Sequence, residues 1–174
     1  GVNDYVDSGG NNNIDSIIGD LTLAAWINIA AGSVVDMAII STHENRTDFT
    51  RPYNLNAFGS TTNYPRFSMG NGSAQFIAQD QTFTLVHGTW YHLVGTIEGN
   101  TMRVYVDGVK RGTGTFSGTR QTGEKVVLGA STSAGSRAFR GLTDEMTIYA
   151  EALSTSQIQK LYAEGLSRHQ LSQQ

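Results

Sequence analysis

Two turn dipeptides constrain this chain more than any other feature. Gly99-Asn100 and Asp107-Gly108 stand six residues apart, on either side of Thr101 to Val106. Both favour two-residue hairpin turns with positive φ, so Trp90 to Glu98, Thr101 to Val106 and the residues after Gly108 are expected to form a three-strand antiparallel meander. Within the middle strand Met102, Val104 and Val106 share one face, and Arg103, Tyr105 and Asp107 the other. One side of that sheet is therefore core and the other semi-exposed.

The same grammar runs through the chain. Its 20 glycines and 2 prolines separate short runs rich in Val, Ile, Thr, Tyr and Phe, which reads as many strands joined by tight turns. Leu21 to Ile29 alternates Leu21, Leu23, Ala25, Ile27 and Ile29 against Thr22, Ala24, Trp26 and Asn28, as an inner strand should. Val34 to Ser41, Tyr53 to Phe58, Arg66 to Met69, Ala74 to Ala78, Val126 to Leu128 and Leu142 to Tyr149 read as further strands. Gly70-Asn71-Gly72-Ser73 lies between two of them and reads as a hairpin turn, with no helix behind it to make a phosphate loop. Trp26 and Trp90 are assigned to the core.

One helix is expected. Ser154 is its N-cap, Gln157 completes a capping box, Leu153 staples onto Ile158, and Gly165 ends it. Ile158, Leu161 and Tyr162 form a single apolar stripe that must dock on the sheets. Residues 1–166 then form one domain and residues 167–174 a polar C-terminal tail. The expected fold class is all-β: a two-sheet antiparallel jelly-roll sandwich with one short C-terminal helix. At 174 residues the chain is long enough to bury a continuous core between two sheets.

Composition excludes several function classes. A net charge of -3 with no basic block argues against nucleic acid as a partner. No apolar run approaches the roughly 20 residues of a membrane-spanning helix, so membrane insertion is not expected. Cysteine is absent, which removes disulfides, thiolate metal sites and cysteine nucleophiles. No serine stands in a Gly-x-Ser-x-Gly elbow. His87 reads as loop and His92 as strand, so a metal shared between them lacks nameable partners.

Several pieces, taken in order, resemble the laminin-G-like jelly-roll family of the concanavalin-A-like lectin/glucanase group, which also contains pentraxins. They are Gly1 to Val6, Leu21 to Ile27, Gly88 to Thr96, Arg103 to Gly108 and Phe139 to Tyr149, with Ala152-Leu153-Ser154 leading into the helix. Leu161 to Leu166 and the polar tail are similar to sandwich domains of bacterial pilin-like surface proteins. The resemblance implies an extracellular or cell-surface setting and use as one module among other domains of a parent protein. The matched positions are mainly turn glycines and core apolars, so they speak for fold and do not choose a function.

The related glucanases carry three carboxylates at alternate positions of one strand. Here Asp144 shares a face with Met146 and Ile148, and Glu145 with Thr147 and Tyr149, leaving each acid alone. Glu151 lies about 20 Å beyond Glu145 on an extended strand. No glycoside hydrolysis is expected, since retaining chemistry needs two carboxylates about 5 Å apart. The chain is read as a non-catalytic binding and adhesion module, with glycans or other cell-surface ligands as partners. The alternative is a structural spacer without a ligand.

For sugar binding the candidates are Phe49, Arg51, Tyr53, Tyr64 and Arg66, aromatic faces to stack on sugar rings with polar groups for the hydroxyls. Structural calcium is the cofactor considered. By resemblance Asp4, near the first strand, and Asp144, near the last, come together, with Asn3 completing the shell. Equally, both acids could cap backbone amides. The loop His43 to Asp48 loosely matches the first pentraxin calcium loop, but Ser131-Thr132-Ser133 stands where the second supplies acidic and amide ligands.

Overall fold

A computed structural model of the chain describes residues 4–9, 17–33, 36–42, 52–122, 125–131 and 137–170. Chain order is β1 (Val6–Asp7), β2 (Leu21–Ile29), β3 (Met37–Thr42), β4 (Asn54–Phe58), β5 (Tyr64–Gly70), β6 (Gln75–Gln79), β7 (Trp90–Glu98), β8 (Thr101–Val106), β9 (Val109–Thr115), β10 (Val126–Leu128), β11 (Gly141–Tyr149) and α1 (Thr155–Gln170). The strands form a six-stranded sheet, β1-β10-β3-β4-β5-β6, and a five-stranded sheet, β11-β2-β7-β8-β9. All pairings are antiparallel, and the two sheets are consistent with a jelly-roll sandwich.

Alternation puts the core where the sequence pattern places it. Leu21, Leu23, Ala25, Ile27 and Ile29 of β2 are fully buried, as are Met102, Val104 and Val106 of β8. They pack against Met37, Leu55, Phe67 and Met69 from the opposite sheet. Asp107 and Gly108 adopt φ of 53° and 74°, the left-handed pair that the β8–β9 hairpin needs. Asn71 Oδ1 accepts the backbone N–H groups of Ser73 and Ala74, closing the β5–β6 hairpin.

The sandwich closes on one side by backbone contact. β9 carries Gly112 and Gly114 beside the backbone of β6, where a Cβ on Gly114 would stand 2.1 Å from the Ile77 carbonyl oxygen. Only glycine permits that approach.

Two elements differ from expectation. A β-bulge interrupts β11 between Asp144 and Thr147, with Glu145 at φ 50°. The extra residue shifts parity, so Asp144, Thr147 and Tyr149 face outward with Trp26, Ala24 and Thr22, while Met146 and Ile148 pack on the core. Asp144 therefore does not share a face with Met146 and Ile148. The helix also continues through Gly165 to Gln170, so Ser167, Arg168 and His169 belong to it. Gly165 is a contact glycine instead of a stop: a Cβ there would lie 2.4 Å from Trp26 Nε1.

At the other end of α1 the capping box forms as expected. The Ser154 backbone N–H donates to Gln157 Oε1 at 2.8 Å, and the Gln157 N–H to Ser154 Oγ at 3.3 Å. Leu153 and Ile158 are buried together with Ala24, Val94 and Tyr105, so the helix covers the outer face of the five-stranded sheet. Trp26 is fully buried under this helix, not between the sheets, and Trp90 is only half-buried on the same outer face. Ser154→Ala should destabilise the fold by about 1 kcal/mol. A melting temperature lowered by roughly 2–4 °C would register that loss.

Candidate functional site

The β4–β5 hairpin sends alternate side chains to opposite faces. Leu55, Ala57 and Phe67 enter the core, so Asn56, Phe58, Tyr64 and Arg66 face outward, with Asn56 opposite Arg66 and Phe58 opposite Tyr64. Phe58 and Tyr64 form a tilted pair with ring centroids 5.6 Å apart. The Arg66 guanidinium lies 3.9 Å above the Phe58 ring and donates to Gln75 Oε1 at 2.8 Å. Its charge is thus spread over an aromatic face and an amide.

Beside this pair the connecting turn shapes a groove of about 520 Å³, lined by Asp36, Phe58, Tyr64 and the turn residues 59–62. Gly59 has φ 148°, and a Cβ there would collide with the Thr62 carbonyl, so the tight turn requires glycine. The volume falls in the range of small-ligand sites. Asp36 is held from two sides: Oδ1 accepts the Asn56 amide at 2.7 Å, and Oδ2 lies 3.1 Å from Arg137 Nη1. An oriented carboxylate next to two aromatic faces and three exposed hydroxyl residues, Ser60, Thr61 and Thr62, can hydrogen-bond a polyol while a ring stacks on it.

Tyr64 and Arg66 stand at or beside this groove. Tyr53 does not: it is fully buried among Leu55, Ala57 and Phe67, because it shares their parity. Phe49 and Arg51 lie outside the described residues, as do Asn3 and the His43 to Asp48 loop. Sequence reading missed Phe58 and Asp36. Phe58 could have been found by counting outward from the Gly59-Ser60-Thr61-Thr62-Asn63 turn to its register partner Tyr64; Asp36 arrives from the residue just before β3 and carries no local signal.

Of the calcium ligands expected, the two acids Asp4 and Asp144 fall among the described residues. Asp144 points to the helix side of the five-stranded sheet, where Oδ1 accepts the Glu145 N–H at 2.8 Å and Oδ2 lies 3.8 Å from His169 Nε2. Asp4 is exposed and its carbonyl lies against Gly129, next to the six-stranded sheet. Calcium takes six to eight oxygens, and among the described residues no group of three or more metal-ligating side chains gathers. His87 and His92 are likewise apart in role: His87 Nε2 meets Asn63 Oδ1 at 3.3 Å, and His92 is buried beneath α1.

Comparison with known proteins agrees with this architecture. Among solved structures, a native heptameric SAP-like pentraxin from Limulus polyphemus superposes with a TM-score of 0.64 at 18% identity, covering 83% of this chain and 70% of that one. Domain 4 of AbnA, a GH43 extracellular arabinanase from Geobacillus stearothermophilus in complex with arabinotriose, gives 0.59 at 19% identity, covering 83% and 67%. Domains LG4-5 of the mouse laminin alpha1 chain give 0.62 at 16% identity, and this chain spans 41% of that one. A search of curated protein sequences found no match. The profile of one family matches residues 1–159. By sequence and by fold, the chain belongs to the concanavalin A-like lectin/glucanases superfamily.

Proposed function

We propose that the chain is a non-catalytic carbohydrate-binding module, displayed outside the cell as part of a larger protein, and that its ligand enters the Phe58–Tyr64 groove. The observation that carries this reading is the pair of aromatic faces set beside an oriented carboxylate in an open groove. Two similar structures support the substrate class: the arabinanase domain in complex with arabinotriose, and a botulinum neurotoxin binding domain in complex with SialylT. Asp36 is the one carboxylate lining the groove among the described residues, and it is already engaged by Asn56 and Arg137. Glycoside hydrolysis needs a pair, so the geometry favours holding a sugar over cleaving it. No described helix is long and apolar enough to cross a membrane.

A glycan array probed with the chain, with calcium and with chelator, tests the proposal. Binding should appear and be equal in both conditions, since no groove residue needs an ion. Phe58→Ala and Tyr64→Ala should each weaken it at least tenfold, or about 1.4 kcal/mol. A bare array would favour the spacer reading, and binding confined to the calcium arm would move the site elsewhere.

A further inference from the structure

The last two turns of α1 close over Trp26 in a seam containing two buried imidazoles. His92, on β7, is 3% exposed and His169, on α1, is 4% exposed. The His169 ring stacks on Trp26 with centroids 4.2 Å apart and leans on Trp90 at 4.6 Å. His92 meets Trp26 at 5.2 Å, and Tyr162 covers both Trp26 and His92, at 5.7 and 6.4 Å. Gly165 lets the helix backbone touch the indole.

The charged groups around this seam are unevenly placed. From β11, Asp144 Oδ2 lies 3.8 Å from His169 Nε2, and Glu145 pairs with Arg168 of α1 at 2.7 Å. From the β8–β9 turn, Asp107 Oδ1 accepts the His92 backbone N–H at 2.8 Å, and Arg111 of β9 acts on Asp107. β2 contributes Trp26, which does not titrate. On α1 itself, Lys160 pairs with Glu164 on the exposed side.

One positive charge is accommodated at His169. It has a carboxylate in reach, two indole faces for cation–π contact, and the negative end of the helix dipole. A second charge, at His92, has only the tilted Trp26 ring at 5.2 Å: no carboxylate pairs with its imidazole among the described residues, since Asp107 accepts the backbone N–H, and the helix C-terminus is not its own. Its Nδ1 is buried with no hydrogen-bond partner among the described residues, and burial, followed by the charge of His169, pushes its pKa down to about 4. A buried base with a depressed pKa favours the docked state above its ordinary value of 6.5 and opposes it progressively as pH falls toward 4.

We propose that α1 is an acid-released latch: its C-terminal half stays seated while at most one imidazole at the Trp26 seam is charged, and lifts off the five-stranded sheet when both are. Release bares Trp26 and its neighbours while the inter-sheet core, on the other side of the sheet, stays closed. The latch stands on its own geometry and does not depend on the glycan reading.

The chain holds 2 tryptophans, and both line this seam, so intrinsic fluorescence reports on it directly. Between pH 7 and 4 the fluorescence should change in step with an at least tenfold loss of amide-exchange protection over residues 162–169, after correction for intrinsic rates. β7 and β8 amides should keep theirs. His92→Leu should move that transition more than one pH unit lower, and His92→Gln serves if the leucine variant does not fold. In the native protein the His92 ring resonance should titrate well below the ordinary value of 6.5. A helix end that stays protected at pH 4, sheet amides lost together with it, variants titrating as the native chain does, or a His92 ring titrating near 6.5 with the helix seated would each overturn the latch.

Discussion

Phe67→Ala should lower stability by about 3–5 kcal/mol, the range for deleting a buried aromatic ring from a packed core. For a domain of this size that corresponds to a melting temperature lower by roughly 6–20 °C. Phe67 is fully buried, and its ring fills the hole that Gly95 leaves in the facing sheet: a Cβ on Gly95 would lie 2.6 Å from Phe67 Cγ. That complementarity makes a second, coupled expectation. Gly95→Ala alone should cost about 1–3 kcal/mol through overpacking. Combined with Phe67→Leu it should cost less than the sum of the two, with a coupling of about 1 kcal/mol, because the smaller ring substitute vacates the space that the new methyl needs. Strict additivity in calorimetric melts would show that the two residues do not meet across the sheets.

Gly114→Val is expected to have the next largest effect, about 3 kcal/mol, at the upper end of the range for overpacking. Its Cβ would meet the backbone carbonyl of Ile77 at 2.1 Å, and a carbonyl held in a strand has no rotamer by which to yield. The β6–β9 side of the sandwich would have to open. The damage should therefore appear locally as well as globally: amides of β9 and β6 should exchange faster than those of β2 and β7, which lie farther from the seam in the five-stranded sheet. A variant that melts like the native chain would mean that this closure is loose.

Most of the fold is legible from local pattern. Alternation in Leu21 to Ile29 and in Thr101 to Val106 fixes which face is buried, and Asp107-Gly108 fixes the turn between β8 and β9, because these signals act over two to four residues. The exceptions each needed a distant partner. Gly165 carries the same local signature as a helix stop, and only the indole of Trp26 below it explains why the helix runs on. The β11 bulge holds no glycine; it is supported by what it aims at, with Asp144 facing His169 and Glu145 bound to Arg168. Trp90 reads as core because tryptophan usually is, but its register partner Asn28 puts it on the outer face, against His169.

The candidate site was legible only in part, for the same reason. Tyr64 and Arg66 were marked by residue type, whereas Phe58 follows from hairpin register and Asp36 from a fold that brings the start of β3 beside the β4–β5 turn. Tyr53 was marked by type as well, yet its parity with Leu55 and Ala57 commits it to the core. Residue type proposes a contact surface; parity and register decide which members of it face the ligand.

Nuclear magnetic resonance titration of the chain with the oligosaccharide that binds best on the array tests the groove most directly. Backbone shifts should concentrate at residues 58–64 and at Asp36, and Tyr64→Ala should weaken the affinity at least tenfold while leaving the melting temperature within the small change expected of a half-exposed side chain. Shifts centred on another face of the sandwich, or a Tyr64→Ala variant that binds as the native chain does, would contradict the assignment of the ligand to this groove.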